Sequence, residues 1–329
     1  MLTSVILFAI GLVLLIKGGD WFVDGATGIA KRFNLPDIVV GATVVSIGTT
    51  LPEVMVSTTG ALAGSGAMAY GNAIGSIICN TALIAAISIV CNPGPVNVKS
   101  MKTPAIFFFA SAALYCFASY ILGEFPRWMG FVMLAIFVTY TVLTVRNGLK
   151  NPDAVEEEEE EDSKPKALWQ ELLLLVIGAA VIAVGADLLV DHGQIIAIGL
   201  GVPETVVALL FVALGTSLPE LVTTITSLKK GRASLGVGNV IGANVFNLVL
   251  VSGVAVSLAP FDVPVENTLL NTGLNLSLVF DIPVMLGVMS LMIFPALLGK
   301  KLRRWQGIAL LGIYVAFVVL QVLIALHVL

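Results

Sequence analysis

Apolar residues occur along this chain in long blocks separated by short polar gaps. The first five blocks cover about 3–16, 36–62, 67–91, 103–122 and 127–147, and five more cover 168–190, 203–228, 233–259, 281–298 and 305–326. A bilayer-spanning helix needs roughly 17–25 predominantly apolar residues, so the pattern predicts an all-α integral membrane protein of ten transmembrane helices. Two blocks carry the same polar interruption: GTTLPE at 48–53 and GTSLPE at 215–220, each with a proline and a glutamate inside an apolar stretch.

The two interruptions belong to a longer register. Adding 167 to a residue number carries Gly11 to Gly178, Gly18 to Gly185, Asp20 to Asp187, Asp24 to Asp191 and Pro36 to Pro203, and continues through Glu53 to Glu220, Asn72 to Asn239 and Asn80 to Asn247. No gap is needed across these positions, and a fixed period of this kind marks a duplication. Each copy holds five predicted spans, an odd number, so the second copy must enter the membrane from the opposite side. The expected organisation is a first five-helix repeat at 1–147, a linker at 148–166 and an inverted second repeat at 167–329, as in many secondary transporters.

Composition strengthens the membrane reading. Hydrophobic residues make up 58% of the 329 and charged residues only 12%, against about 25% charged in an ordinary soluble domain, and the mean hydropathy is +1.02. Of the 17 lysines and arginines, all except Arg127 fall on one side if the N-terminus lies outside. The positive-inside rule then places both termini outside the plasma membrane and the linker in the cytoplasm. That linker, NPDAVEEEEEEDSKPK at 151–166, reads as a solvated acidic segment without the turn glycine of a calcium-binding loop. The first block lacks the basic flank of a signal peptide and has a counterpart in the second copy, so it is expected to be a retained helix. Cys79, Cys91 and Cys116 have no CxxC spacing and imply neither disulfides nor zinc.

Candidate chemistry concentrates at the two interruptions. Pro52 lacks an N–H and clashes with the carbonyl four residues back, so the helix should break near Gly48 and free backbone oxygens from Ser46 to Gly48. Pro219 should do the same around Ala213 to Gly215. Glu53 lies within a helical turn of Thr49 and Thr50, and Glu220 within a turn of Thr216 and Ser217. These glutamates are the acidic residues near the middle of predicted spans, with no lysine or arginine at similar depth. An ionised carboxylate at the bilayer centre costs about 2.5–3.5 kcal/mol on insertion scales. A mobile cation is the simplest counter-charge. Ser76 and Asn80 share a face of the following helix, with Ala243 and Asn247 at the corresponding positions. Such oxygens suit calcium or sodium and are poor for zinc or copper.

Other features have plainer expectations. Gly71 with Gly75, and Gly238 with Gly242, are small-xxx-small pairs that favour close helix packing. Asp20, Asp24, Asp187 and Asp191 should be solvated or capping groups at span ends, and His192 and His327 should lie at water-facing ends without a role.

With GTTLPE, GTSLPE, GNAIGSIICN at 71–80 and GNVIGANVFN at 238–247 in view, the chain resembles the cation/calcium exchanger superfamily, and specifically prokaryotic sodium/calcium exchangers. The resemblance covers nearly the whole length, with alpha-repeat motifs at about 36–91 and 203–259. It implies an antiporter rather than an enzyme, exchanging sodium for calcium by alternating access, with long first and sixth helices sliding across the rest. It also implies that Glu53 and Glu220 bind calcium directly. Thr49, Thr50, Ser76, Thr216 and Ser217, with the carbonyls of Ser46 and Ala213, would serve sodium, and Asn80 and Asn247 would complete the cluster. Two departures stand out: Ala243 where a serine is common, which removes a sodium ligand, and Asn247 where some members have aspartate. Implied partners are the two ions and the lipid bilayer, with no cofactor, no nucleic acid and no obligatory protein partner. The residues themselves leave open a proton/calcium exchanger, since buried carboxylates take up protons readily. An intramembrane hydrolase with two acids and a cation channel are the more distant readings.

Overall fold

The computed structural model describes residues 2–150, 167–200, 214–264 and 275–325. Lipid offers no hydrogen-bond partners, so an apolar block must satisfy its own backbone, and helices do so. In chain order they are α1 (Leu2–Arg32), α2 (Asp37–Thr49), α3 (Leu51–Leu62), α4 (Gly66–Cys91), α5 (Val98–Leu122), α6 (Arg127–Leu149), α7 (Leu168–Gly199), α8 (Leu218–Lys229), α9 (Ala233–Leu258), α10 (Ser277–Gly299) and α11 (Arg304–Ala325). Among the described residues eight helices are long and apolar enough to span a membrane alone, and α2 with α3, bent by 45° at their break, meet the same length and hydropathy only as a pair. Of the span expected at 203–228, α8 is described, while 203–213 lies outside the described residues.

Two helices are much longer than the hydropathy pattern indicates. α1 continues past the expected end at 16 to Arg32, and α7 past 190 to Gly199. Gly18, Gly19, Asp20 and Asp24 lower the local hydropathy without ending the helix, because α1 packs lengthwise on α7. The two run antiparallel. A Cβ on Gly11 would lie 2.8 Å from the Gly185 carbonyl oxygen, one on Gly18 3.0 Å from that of Gly178, and one on Gly25 2.6 Å from that of Glu171. Residues at intervals of seven therefore face the partner backbone, and small side chains there allow close dispersion contact where lipid supplies no hydrophobic drive.

α9 is the most enclosed span, followed by α4, whereas few residues of α1, α6, α7 and α11 are fully buried. Cross-chain contacts come in matched pairs. Strand β1 (Gly94–Pro95) pairs antiparallel with β4 (Lys301–Leu302), and β2 (Glu124–Phe125) with β3 (Phe261–Asp262). Arg127, opening α6, donates to the Leu258 carbonyl at the end of α9 at 3.2 Å, and Arg304, opening α11, donates to the Val90 carbonyl near the end of α4 at 3.1 Å. A cation at a helix C-terminus satisfies an orphan carbonyl and complements the helix dipole.

The expectation for the paired glycines divides. Gly238 and Gly242 pack as predicted: a Cβ on either would strike the backbone of Ile38 or Ala42 on α2. At Gly71 and Gly75 a Cβ would meet no described atom within 4 Å, and both border a cavity of about 220 Å³ with Asp281 and Tyr314. The residues that the register places opposite them lie within 203–213, outside the described residues. Asp24 is also not merely solvated, since α1 extends past it and brings it to Lys230 at 2.6 Å. Asp187 and Asp191 are exposed as expected, and the three cysteines are free. His327 lies outside the described residues.

Gly18→Leu should force α1 from α7, and overpacking of this kind costs about 1–3 kcal/mol. Thermal inactivation in detergent is expected to fall to lower temperature in Gly18→Leu and to stay level or rise in Gly312→Ala, where a Cβ meets no described atom.

Candidate ion-binding site

The α2–α3 break falls at Thr50, and Pro52 occupies the first turn of α3, where its missing N–H is harmless. The break differs in detail from the expectation. The Ser46 carbonyl keeps a donor, the Thr50 N–H at 3.0 Å, and so offers a remaining lone pair rather than a free carbonyl. The proline instead removes the donor four residues beyond Gly48. α8 opens in the same way, with Pro219 in its first turn and the Ser217 carbonyl accepting from Leu221 N–H at 3.0 Å. Ala213 lies outside the described residues.

The two glutamates are fully enclosed. Neither carboxylate oxygen of Glu53 has a hydrogen-bond partner among the described residues, and neither has Glu220 Oε2. Glu220 Oε1 is approached by the Thr50 hydroxyl at 3.5 Å, the outer limit of a hydrogen bond. Every ion pair among the described residues lies elsewhere, so no cationic side chain compensates either acid.

Asn80 and Asn247 are also fully buried, and their amide groups, like the Ser217 hydroxyl, have no hydrogen-bond partner among the described residues. Each asparagine opens a π-helical turn, Asn80–Ala85 within α4 and Asn247–Val251 within α9. The first packs against α8, which carries Glu220, and the second against α3, which carries Glu53. Single π-turns in α-helices recur at functional sites because the wider turn re-aims side chains. Ser76 Oγ stands 3.5 Å from Thr216 Oγ1, linking two predicted residues from different halves. Ala243, in the register position of Ser76, is buried and contributes no oxygen.

Two residues absent from the predicted site hold it together. The Thr49 hydroxyl donates to Asn239 Oδ1 at 3.2 Å, and the Thr216 hydroxyl donates to Asn72 Oδ1 at 3.2 Å. The Ser46 hydroxyl also lies 2.9 Å from the Asn239 carbonyl and 3.2 Å from its Oδ1. Asn72 Nδ2 in turn donates to Ser57 Oγ at 2.8 Å and to the Glu53 carbonyl at 3.3 Å. Each asparagine therefore orients hydroxyls of the opposite half. Their signal was present in the register, which carries asparagine at both positions, 72 and 239.

The donors are carboxylate, amide and hydroxyl oxygens, and among the described residues no group of three His, Cys, Asp or Glu gathers as a conventional metal centre. Two carboxylates match the charge of one divalent cation, and calcium takes six to eight oxygen ligands in flexible geometry. Enclosed oxygens at broken helices of a membrane bundle are the hallmark of secondary cation transporters. A family model described as sodium/calcium exchanger protein matches residues 3–146 and 171–323. The chain is 34% identical over 309 residues to an uncharacterized membrane protein of Methanocaldococcus jannaschii, covering 94% of each chain. It is 29% identical to the sodium/calcium exchanger MaX1 of Methanosarcina acetivorans, over 95% of this chain and 97% of that one. The solved sodium-calcium exchanger NCX_Mj, soaked with Na+ and without Ca2+, superposes with a TM-score of 0.77 at 32% identity, covering 95% of this chain and 97% of that one. The chain belongs to the sodium/calcium exchanger family, within the cation/calcium exchanger superfamily, and its relatives are transporters rather than enzymes.

Replacing Asn239 by leucine removes the acceptor of the Thr49 hydroxyl, a loss of about 1–3 kcal/mol for a buried polar group. Ion affinity measured by calorimetry is expected to weaken about five- to a hundredfold. Asn239→Asp, which keeps an acceptor oxygen, should retain more.

Proposed function

We propose that the protein is an antiporter that exchanges sodium for calcium across the cell membrane by alternating access, with the ions bound near the bilayer midplane. The observation that carries this reading is the pair of enclosed glutamates, Glu53 and Glu220, with three of their four carboxylate oxygens unpartnered among the described residues. Burying an isolated charge is costly unless a partner accompanies it, and a transported cation is such a partner. In this reading Glu53 and Glu220 bind calcium. Thr49, Thr50, Ser76, Thr216 and Ser217, with the carbonyls of Ser46 and Ala213, serve sodium, and Asn80 and Asn247 flank the centre.

The architecture that goes with it is ten spans in two inverted halves, 1–147 and 167–329, joined by an acidic cytoplasmic linker at 148–166, with both termini outside. Support comes from the antiparallel α1 and α7, whose glycines correspond at an offset of 167. The matched strand pairs, arginine caps and threonine–asparagine bonds add to it. Alternation then follows from the halves exchanging conformations around the fixed ions. Calcium and sodium compete for overlapping oxygens, and only a loaded site relieves the buried carboxylates enough for α1 and α7 to move.

A proton-coupled reading shares the same two acids, since an unpaired buried carboxylate also takes a proton. Purified protein in liposomes is expected to accumulate calcium when driven by an outward sodium gradient and not by a pH gradient alone. Glu53→Gln or Glu220→Gln should lower uptake about tenfold or more, the loss equivalent to 1.5–3 kcal/mol of charged-ligand interaction. Full activity in either variant would remove the carboxylates from the mechanism, and pH-driven uptake would move the protein to proton coupling.

A further inference from the structure

Two turns in the molecule share one backbone and differ in charge. Between α8 and α9, Lys230 N–H donates to the Thr226 carbonyl at 3.0 Å and Arg232 N–H to that of Ser227 at 2.7 Å, around Gly231 at φ +72°. Between α3 and α4, Ala63 N–H donates to Thr59 at 2.9 Å and Ser65 N–H to Gly60 at 2.9 Å, around Gly64 at φ +84°. The left-handed glycine and paired bonds are those of a helix C-terminal cap. The register of 167 carries Ala63 to Lys230 and Ser65 to Arg232.

The charged version ties down two other helices. Lys230 Nζ lies 2.6 Å from Asp24 Oδ1 and 3.1 Å from the Asp20 carbonyl, both on α1. Arg232 Nη1 lies 3.0 Å and 3.2 Å from the two carboxylate oxygens of Asp37, at the start of α2, and both side chains are buried. Arg32 at the end of α1 pairs with Glu171 on α7 at 2.9 Å. All ion pairs among the described residues thus gather at one end of the bundle. The corresponding residues at the other end cannot reproduce them. Ala63 stands for Lys230, Ser65 for Arg232, Gly199 for Arg32 and Ser4 for Glu171, although Asp187 and Asp191 are present as counterparts of Asp20 and Asp24. Beneath the charged turn a Cβ on Gly41 would strike the Leu235 carbonyl oxygen, and the register carries Gly41 to Ala208 in the other half.

Exchange between two perfectly equivalent inverted halves would make the two access states mirror each other and equal in energy. Any contact made at one end only tips that balance. We propose that the Lys230-Gly231-Arg232 turn is a one-ended ionic latch: it holds its own end of the ion site closed, so that the protein rests open toward the opposite end. This inference rests on the alternating-access reading above. Under the proposed orientation the latched end is cytoplasmic and the resting state faces outward.

Breaking one side of the buried Asp37–Arg232 pair endangers the fold, so the test uses the partly exposed pair and its missing counterpart. Lys230→Ala removes a tie at the latched end. Ala63→Lys places the same cation in the corresponding turn at the other end, where the register makes Asp187 and Asp191 the counterparts of Asp20 and Asp24. The reporter is Ser217→Cys, a buried site position, in a chain with Cys79, Cys91 and Cys116 replaced by alanine. Modification by a membrane-impermeant maleimide is followed in right-side-out and inverted membrane vesicles, without sodium or calcium. Lys230→Ala should speed modification from the latched face about two- to fivefold, the range available to a partly exposed ion pair. Ala63→Lys should slow modification from the opposite face by a similar factor. Unchanged rates from both faces in both variants would overturn the latch. Sodium-driven calcium uptake is measured beside this in vesicles carrying the protein without the reporter. Absent uptake would overturn exchange itself, while the accessibility ratio would still decide the latch.

Discussion

The structure turns on two carboxylates that no cationic side chain among the described residues pairs with. Glu53 and Glu220 are fully enclosed, and the Thr50 hydroxyl reaches Glu220 only through a long contact. A soluble protein would pair such groups or leave them at the surface. Here the surroundings instead supply neutral oxygens: hydroxyls at the helix breaks and buried asparagine amides. Neutral oxygens complete the shell of a cation without cancelling the charge that attracts it. The broken spans, π-turns and close α2–α9 packing are the means by which a helical bundle brings those oxygens inward.

Much of this was legible in the chain. The offset of 167 located both helix breaks, both glutamates and both asparagines that open π-turns, because a duplicated polar residue in an apolar block has little reason to exist except for function. Hydropathy placed most spans to within a few residues. It failed where packing, and not lipid, decides helix length: Asp20 and Asp24 look like the end of a span, yet α1 runs on to Arg32 against α7. It was also blind to Asn72 and Asn239, whose importance lies in contacts with the opposite half that no local pattern reveals. The Ser46 carbonyl shows the same limit on a smaller scale: Pro52 takes the donor from Gly48, while Ser46 keeps the Thr50 N–H.

Correspondence between the halves is close around the two glutamates and is lost at the turns that follow α3 and α8. Thr49 with Asn239 and Thr216 with Asn72 make the same bond at the same length, so either half can present its hydroxyls alike. Ala243 opposite Ser76 is a departure within the site itself. The charged turn at 230–232, which stands against Ala63, Gly64 and Ser65, is the larger departure. A duplicated carrier needs equivalence for its two states to bind the same ions. It needs inequivalence for one state to be preferred.

The central claim is that the enclosed carboxylates are balanced by a cation that comes and goes. Equilibrium binding of radioactive calcium to the purified protein in detergent tests this most directly, without any gradient or movement. The account predicts saturable calcium binding that sodium displaces competitively and that is lost when Glu53 and Glu220 are both replaced by glutamine. Absence of saturable binding, or binding that survives the double replacement, would contradict it.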